Sequence, residues 1–134
     1  MTPFPLKIVT PDGVNFDGEA EELVVRTTTG DIGILAGHIN CVAALGMGWA
    51  TVIQNGTRRY GACIGGMVSV LNGAVKLVPT TFEWAENIDT DRAEASYRKA
   101  KTVLDDKSSS DTDVRLAEAR LRRALVRKGV ASMK

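Results

Sequence analysis

One histidine, two cysteines, three Phe, two Trp and two Tyr in 134 residues leave this chain short of the groups from which most active sites are made. One His and two isolated Cys cannot supply four zinc ligands without carboxylates, and no metal site is expected. The histidine, His38, lies in a glycine loop with no serine or cysteine at a recognisable nucleophile motif beside it. Cys41 and Cys63 sit in apolar, strand-like surroundings, which fits buried reduced thiols and no redox role. No apolar run approaches the roughly 20 residues that cross a bilayer as a helix. Met-Thr-Pro-Phe-Pro at the start lacks the basic and apolar regions of a secretory leader, so a cytosolic place of synthesis is expected. Neither GxxxxGK[ST] nor GxGxxG occurs, which excludes the common phosphate loops. The aspartates at 105, 106, 111 and 113 lack the order and closing glutamate of an EF-hand and read as a solvated connector.

What the chain does have is an uneven distribution of charge and glycine. Residues 1–82 carry five Lys/Arg against six Asp/Glu, whereas 83–134 carry twelve against ten. From Asp111 onward the balance is seven against three, a basic segment suited to an anionic partner or to a solvated face. With 44% apolar residues, the length suits one medium domain or a small domain with an appendage.

The first part reads as short strands: Leu6 to Thr10, stopped by Pro11-Asp12-Gly13, then Val14 to Phe16 and Leu23 to Arg26. Three glycines from Gly30 to Gly37 suggest a bulged strand between turns. Asn40 to Leu45 and Trp49 to Ile53 follow. Asn55-Gly56 and Asn72-Gly73, each between alternating apolar runs, predict tight hairpins joining Trp49 to Ile53 with Arg58 to Ile64, and Met67 to Leu71 with Ala74 to Val78. Pro79 is expected to close the series. Eight or more strands without a helix between them point to an antiparallel β-sandwich or flattened barrel over residues 1–82.

Between Phe82 and Ala93 the apolar period changes from two to about 3.6. Asp89 is a good N-cap, with Ile88 and Ala93 at the two places of a hydrophobic staple, so a helix should start at Thr90. Ala93, Tyr97, Ala100 and Leu104 share one face; Val114, Ala117, Leu121 and Ala124 share another. With Asp111 or Thr112 as the second cap, residues 83–134 form a linker and an antiparallel helical hairpin, giving an α+β chain. An alanine stripe buries little area per turn, so the hairpin should be marginal alone and able to detach, extend or repack.

Val9-Thr-Pro-Asp-Gly13, Gly30-Asp-Ile-Gly-Ile-Leu-Ala-Gly-His38, Gly65-Gly66 and Ala85-Glu-Asn-Ile-Asp89 stand in this order ahead of an alanine-rich hairpin. Together they resemble the epsilon subunit of bacterial F-type ATP synthase over nearly the whole chain. Ala36 and Asn40 depart from it, standing where the family usually has proline. The resemblance implies a non-catalytic central-stalk subunit of a proton- or sodium-translocating synthase, peripheral on the cytoplasmic face of the cell membrane. Its sandwich would bind the gamma subunit and the c-ring. Its hairpin, when extended, would inhibit ATP hydrolysis, with Arg115, Arg122 and Arg123 facing an acidic segment of the beta subunit.

The same resemblance implies a regulatory ATP, with no cofactor required. Ile88-Asp89-Thr-Asp-Arg92-Ala93 matches the family's nucleotide signature, which Lys99, Arg123 and Arg127 would complete, with Glu83 and Asp89 accepting from the adenine amino group. Lys99 replaces a family arginine, keeping charge and losing the planar fork. Two other classes stand beside this reading. A nucleic-acid binder needs stacking aromatics that the second helix lacks, and an enzyme built on Cys63 or His38 needs further groups that the sequence does not offer.

Overall fold

A computed structural model describes residues 1–133. Ten strands come first: β1 (Phe4–Thr10), β2 (Gly13–Ala20), β3 (Glu22–Thr27), β4 (Gly30–Ile34), β5 (Cys41–Ala44), β6 (Met47–Gln54), β7 (Thr57–Ile64), β8 (Met67–Leu71), β9 (Ala74–Val78) and β10 (Thr81–Trp84). A single 3-10 turn (Ala85–Asn87) leads to α1 (Thr90–Asp105) and α2 (Asp111–Ala131). The strands form two five-stranded sheets, ordered β2-β1-β9-β8-β5 and β10-β7-β6-β3-β4.

The alternation legible in the sequence is what fills the space between the sheets. In β1, Phe4, Leu6 and Ile8 point inward while Pro5 and Lys7 face out. Leu23, Val25, Val52, Val68, Val70, Val75 and Leu77 complete the core from both sheets. Both Asn-Gly pairs form the expected hairpins: Asn55 and Gly56 take φ of 51° and 75°, Asn72 and Gly73 of 50° and 86°. Positive φ at both central residues is the type I′ signature, whose twist matches that of the flanking strands. At Gly66 (φ 91°) an added Cβ would run into the Val78 carbonyl, so only glycine fits beside the end of β9.

Three expectations need correction. The sandwich is not wholly antiparallel, because β1 pairs parallel with β9 through Leu6–Val75, Lys7–Lys76 and Ile8–Leu77. The first strand lies inside its sheet, between its hairpin partner β2 and a strand from the other end of the domain, and no local turn signal encodes that pairing. Pro79 does not close the strand series either. The amide of Thr80 donates to the Gly65 carbonyl at 3.3 Å, and β10 then adds to the edge of β7 with Phe82 opposite Cys63 and Trp84 opposite Gly61. Phe82 and Trp84 are buried by the same two-residue alternation as the earlier strands. This strand straddles the division expected between residues 82 and 83. Third, α2 is capped by Ser110, whose hydroxyl accepts from the Asp113 amide at 3.1 Å, and not by Asp111 or Thr112. Asp111 falls in the first turn instead, where its charge opposes the positive end of the helix dipole.

The start of α1 is as expected: Asp89 caps it by accepting from the Arg92 amide at 3.0 Å. The hairpin closes on Ala93, Ala100, Ala117 and Ala124, all buried, with Tyr97, Leu104, Val114 and Leu121 half-buried around them. The four buried methyl groups themselves supply only about 3 kcal/mol at about 0.8 kcal/mol each, so the fully buried part of the hairpin interface is small. The hairpin is folded down, and α2 lies against β6, β7 and the 3-10 turn. A second, small core forms there from Ala62, Ala85, Ile88, Val130 and Ala131, flanked by Tyr60 and Val126.

Candidate functional site

The junction between sheet and hairpin is tied by aromatic and ionic contacts. Trp84 is packed edge-on by Phe82 and Phe16, donates its indole N–H to the Asn15 carbonyl at 3.1 Å, and carries the Arg59 guanidinium 3.7 Å above its ring. Arg59 also pairs with Glu86 at 2.8 Å. These contacts fix β10 and the turn after it, and so fix the direction in which Glu83, one residue before Trp84, projects.

Glu83 opens into a cleft of about 470 Å³ between β7, β10 and the two helices, lined by Ile64, Thr81, Glu83, Arg92, Ser96, Arg120, Arg123, Ala124 and Arg127. Four of the residues singled out from sequence therefore meet: Glu83 from the sandwich, Arg92 from α1, and Arg123 and Arg127 from α2. Arg127 is held by Glu83, with Nη2 donating to Oε2 at 3.3 Å and Nε 2.7 Å from Oε1. That Nε is buried, and its short approach to the carboxylate is an ion pair without a well-aligned hydrogen bond. Among the described residues, Arg92, Arg120 and Arg123 form no ion pair. Four guanidiniums thus share a cleft with one carboxylate. Such convergence costs repulsion that water screens in part and that a polyanion relieves.

The remaining signature residues do other work in this conformation. Ile88 is buried in the small core under α2, Ala93 is fully buried at the interface of the hairpin, and one oxygen of the Asp89 carboxylate, Oδ1, caps α1. The signature thus also forms the helix start that aims Arg92 into the cleft. Lys99 does not line this cleft. It borders a second one of about 290 Å³ farther along the hairpin, with Ala100, Val103, Ser109, Asp113, Leu116, Ala117 and Arg120. Arg115 and Arg122, seven apart on α2, are exposed and outside both clefts, while Arg123 faces the sheet-side cleft.

Arg120 and Ser96 were missed from the sequence. Both were within reach of spacing alone, since Arg120 lies three and seven residues before Arg123 and Arg127, and Ser96 four after Arg92, each on the same helix face. Thr81 was missed because β10 was.

A second ionic tie closes the hairpin on itself. Glu94 of α1 pairs with Lys128 of α2 at 2.6 Å and with Arg98 at 3.2 Å, and Lys128 also stands 4.2 Å from the Tyr97 ring centroid. The hydrogen bond and charge of Lys128 hold the Glu94 carboxyl below the usual glutamate range, helped by Arg98.

His38 and the cysteines gain nothing catalytic from the fold. His38 Nδ1 lies 2.8 Å from the Ile39 carbonyl and 4.0 Å from Cys41 Sγ on an open loop. Cys63 is buried, and burial pushes its thiol up to about 12. Both cysteines are free.

A two-sheet sandwich bearing a C-terminal helical hairpin, with a guanidinium-rich cleft where they meet, defines the class of molecule. Comparison with known proteins then makes it specific. The family model for the ATP synthase delta/epsilon chain beta-sandwich domain matches residues 3–85, and that for the delta/epsilon chain long alpha-helix domain matches 86–131. The ATP synthase epsilon chain of Bacillus velezensis is 40% identical over 131 residues, 98% of each chain, and that of Bacillus cytotoxicus 39% over 134 residues, 100% of each. That of Bacillus subtilis is 42% identical over 115 residues, 86% of each. The fold is shared with a chain in the cryo-EM structure of the Euglena gracilis mitochondrial ATP synthase OSCP/F1/c-ring, at TM-score 0.84 and 20% identity over all of this chain and 83% of that one. The protein belongs to the ATP synthase delta/epsilon chain family and is similar to its bacterial epsilon chains.

Proposed function

We propose that this epsilon chain restrains ATP hydrolysis by its synthase through the C-terminal hairpin, and that ATP bound in the cleft holds the hairpin folded. The chain is an accessory subunit, not catalytic by itself. Its sandwich carries the rotor role, binding the gamma subunit and the c-ring, at the cytoplasmic face of the membrane. Among the described residues no helix is long and apolar enough to cross a bilayer. When extended, α2 presents Arg115, Arg122 and Arg123 to an acidic segment of the beta subunit.

The observation that carries the regulatory part is the composition of the cleft. Glu83 belongs to the sandwich, Arg92 to α1, Arg123 and Arg127 to α2, and they line one cleft only with the hairpin closed and docked. A ligand that needs all four binds one conformation and stabilises it by RT ln(1 + [L]/Kd), about 2.7 kcal/mol at a hundredfold excess over Kd. A contribution of that size is enough for a nucleotide to bias a hairpin whose own buried contacts are small. Glu83 is the acceptor for an adenine amino group, and Arg127 must share it or exchange it for phosphate.

Calorimetric titration of the purified protein with ATP tests this reading. Binding without hydrolysis is expected, weakened about tenfold or more in Arg92→Ala by loss of a charge-assisted contact. Absence of heat at millimolar ATP, or equal affinity in parent and variant, removes the nucleotide sensor and leaves the subunit assignment standing.

A further inference from the structure

The two clefts of the hairpin share one residue, Arg120. Resting on the nucleotide reading of the first cleft, we propose that Arg120 holds the outer phosphates of the bound nucleoside triphosphate and sets the preference for triphosphate over diphosphate, in place of Lys99.

The geometry of the hairpin carries this. In an antiparallel pair whose buried contacts are Ala93 and Ala100 on α1 and Ala117 and Ala124 on α2, Ala93 falls level with Ala124 and Ala100 with Ala117. The cleft linings agree, since the first includes Ala124 with Arg92 and the second Ala100 with Ala117. Arg120 stands between the two levels, beside Ser96. It lies seven residues from Arg127, about 10 Å along the helix axis at 1.5 Å per residue. Glu83 holds the Arg127 end of the cleft through their ion pair, so that end takes the base. A triphosphate chain running from there along α2 passes Arg123 and ends at Arg120 and Ser96.

Lys99 lies at the same far end, seven residues beyond Arg92, but borders only the second cleft. Of the two cations there, Arg120 is the one that faces the first cleft. It forms no ion pair among the described residues, so no carboxylate has to be displaced from it. Its planar fork binds phosphate oxygens bidentately, which is what a lysine at 99 cannot do.

Titrating the full-length protein with ATP and with ADP tests the assignment in the parent and in Arg120→Ala, Lys99→Ala and Arg92→Ala. Alanine preserves the helix at both α2 and α1 sites. Arg120→Ala is expected to weaken ATP about tenfold and ADP less than about threefold, narrowing the preference between them, because one charge-assisted phosphate contact is lost. Lys99→Ala is expected to stay within about twofold of the parent for both. A general loosening of the hairpin by Arg120→Ala would lower both affinities equally, and this overturns the phosphate role. ATP affinity unchanged in Arg120→Ala, or lost in Lys99→Ala instead, overturns it as well while leaving the site in place. No ATP binding by the parent, or none of it sensitive to Arg92→Ala, overturns the site itself and the assignment with it.

Discussion

Cys63 shows how far a single residue's chemistry depends on its position. Opposite Phe82 and Gly48 in the middle of a sheet, it is 3% exposed, and the loss of solvent around a thiolate raises its pKa to about 12. The thiolate is the reactive form, so Cys63 is inert at neutral and mildly alkaline pH. Cys41, on the edge strand β5, is only partly covered. A thiol reagent at about pH 8 is expected to modify one equivalent, Cys41, in the folded protein, and two in denaturant; rapid modification of both under native conditions would contradict the burial of β7. Arginines behave in the opposite way, keeping their charge wherever they are placed. Their role is decided by what shares the space, which separates Arg127, held by Glu83, from Arg120 and Arg123 on the same helix.

At the level of elements, α1 and α2 are joined by methyl groups and by the Glu94–Lys128 pair. The folded-state pKa of Glu94 is lowered by Lys128, so the pair contributes stability above the ordinary glutamate pKa. That contribution is lost as pH falls through the lowered folded-state value. Glu94→Gln is therefore expected to be less stable than the parent at about pH 7, and the two denaturation curves should converge as pH falls below the usual glutamate range. A difference that does not change with pH would show that Glu94 acts by packing alone. The pair is exposed and screened by salt, so the gap should also narrow at high ionic strength.

For the whole molecule, the boundary between the two bodies follows β10 and the 3-10 turn. A fragment ending at residue 82 removes Trp84, which is buried against Phe82 and Phe16. Removing a buried aromatic costs roughly 3–5 kcal/mol. Residues 1–88 should thus fold cooperatively and unfold at clearly higher urea than residues 1–82, and equal midpoints would show that β10 is dispensable. Assembled synthase lacking residues from Asp89 onward is expected to hydrolyse ATP faster than the intact complex while still coupling to ion flow. Equal hydrolysis rates across a range of ATP concentrations would contradict the inhibitory role of the hairpin.

Local chemistry was sufficient for much of this. The Asn-Gly hairpins, the alternation in β1, β8 and β9, the Asp89 cap and the alanine stripes depend on φ preferences and periodicities that neighbouring residues carry among themselves, and all formed where the sequence predicts them. The four-part resemblance and the charge of the last helix were legible for the same reason. Three things were settled only by tertiary packing. The parallel pairing of β1 with β9 joins residues about seventy apart and leaves no local signal, and although Phe82 and Trp84 carry the two-residue alternation, the addition of β10 after Pro79 depends on a free edge of β7. The composition of the cleft was the third. Sequence spacing put Lys99 and Arg127 on the same footing as cations of two helices, but helix register against the sheet decides which side chains share one space. That register rests on the burial of Ile88, Val130 and Ala131 against sheet residues, and so Arg120, not Lys99, came to border the cleft that Glu83 opens.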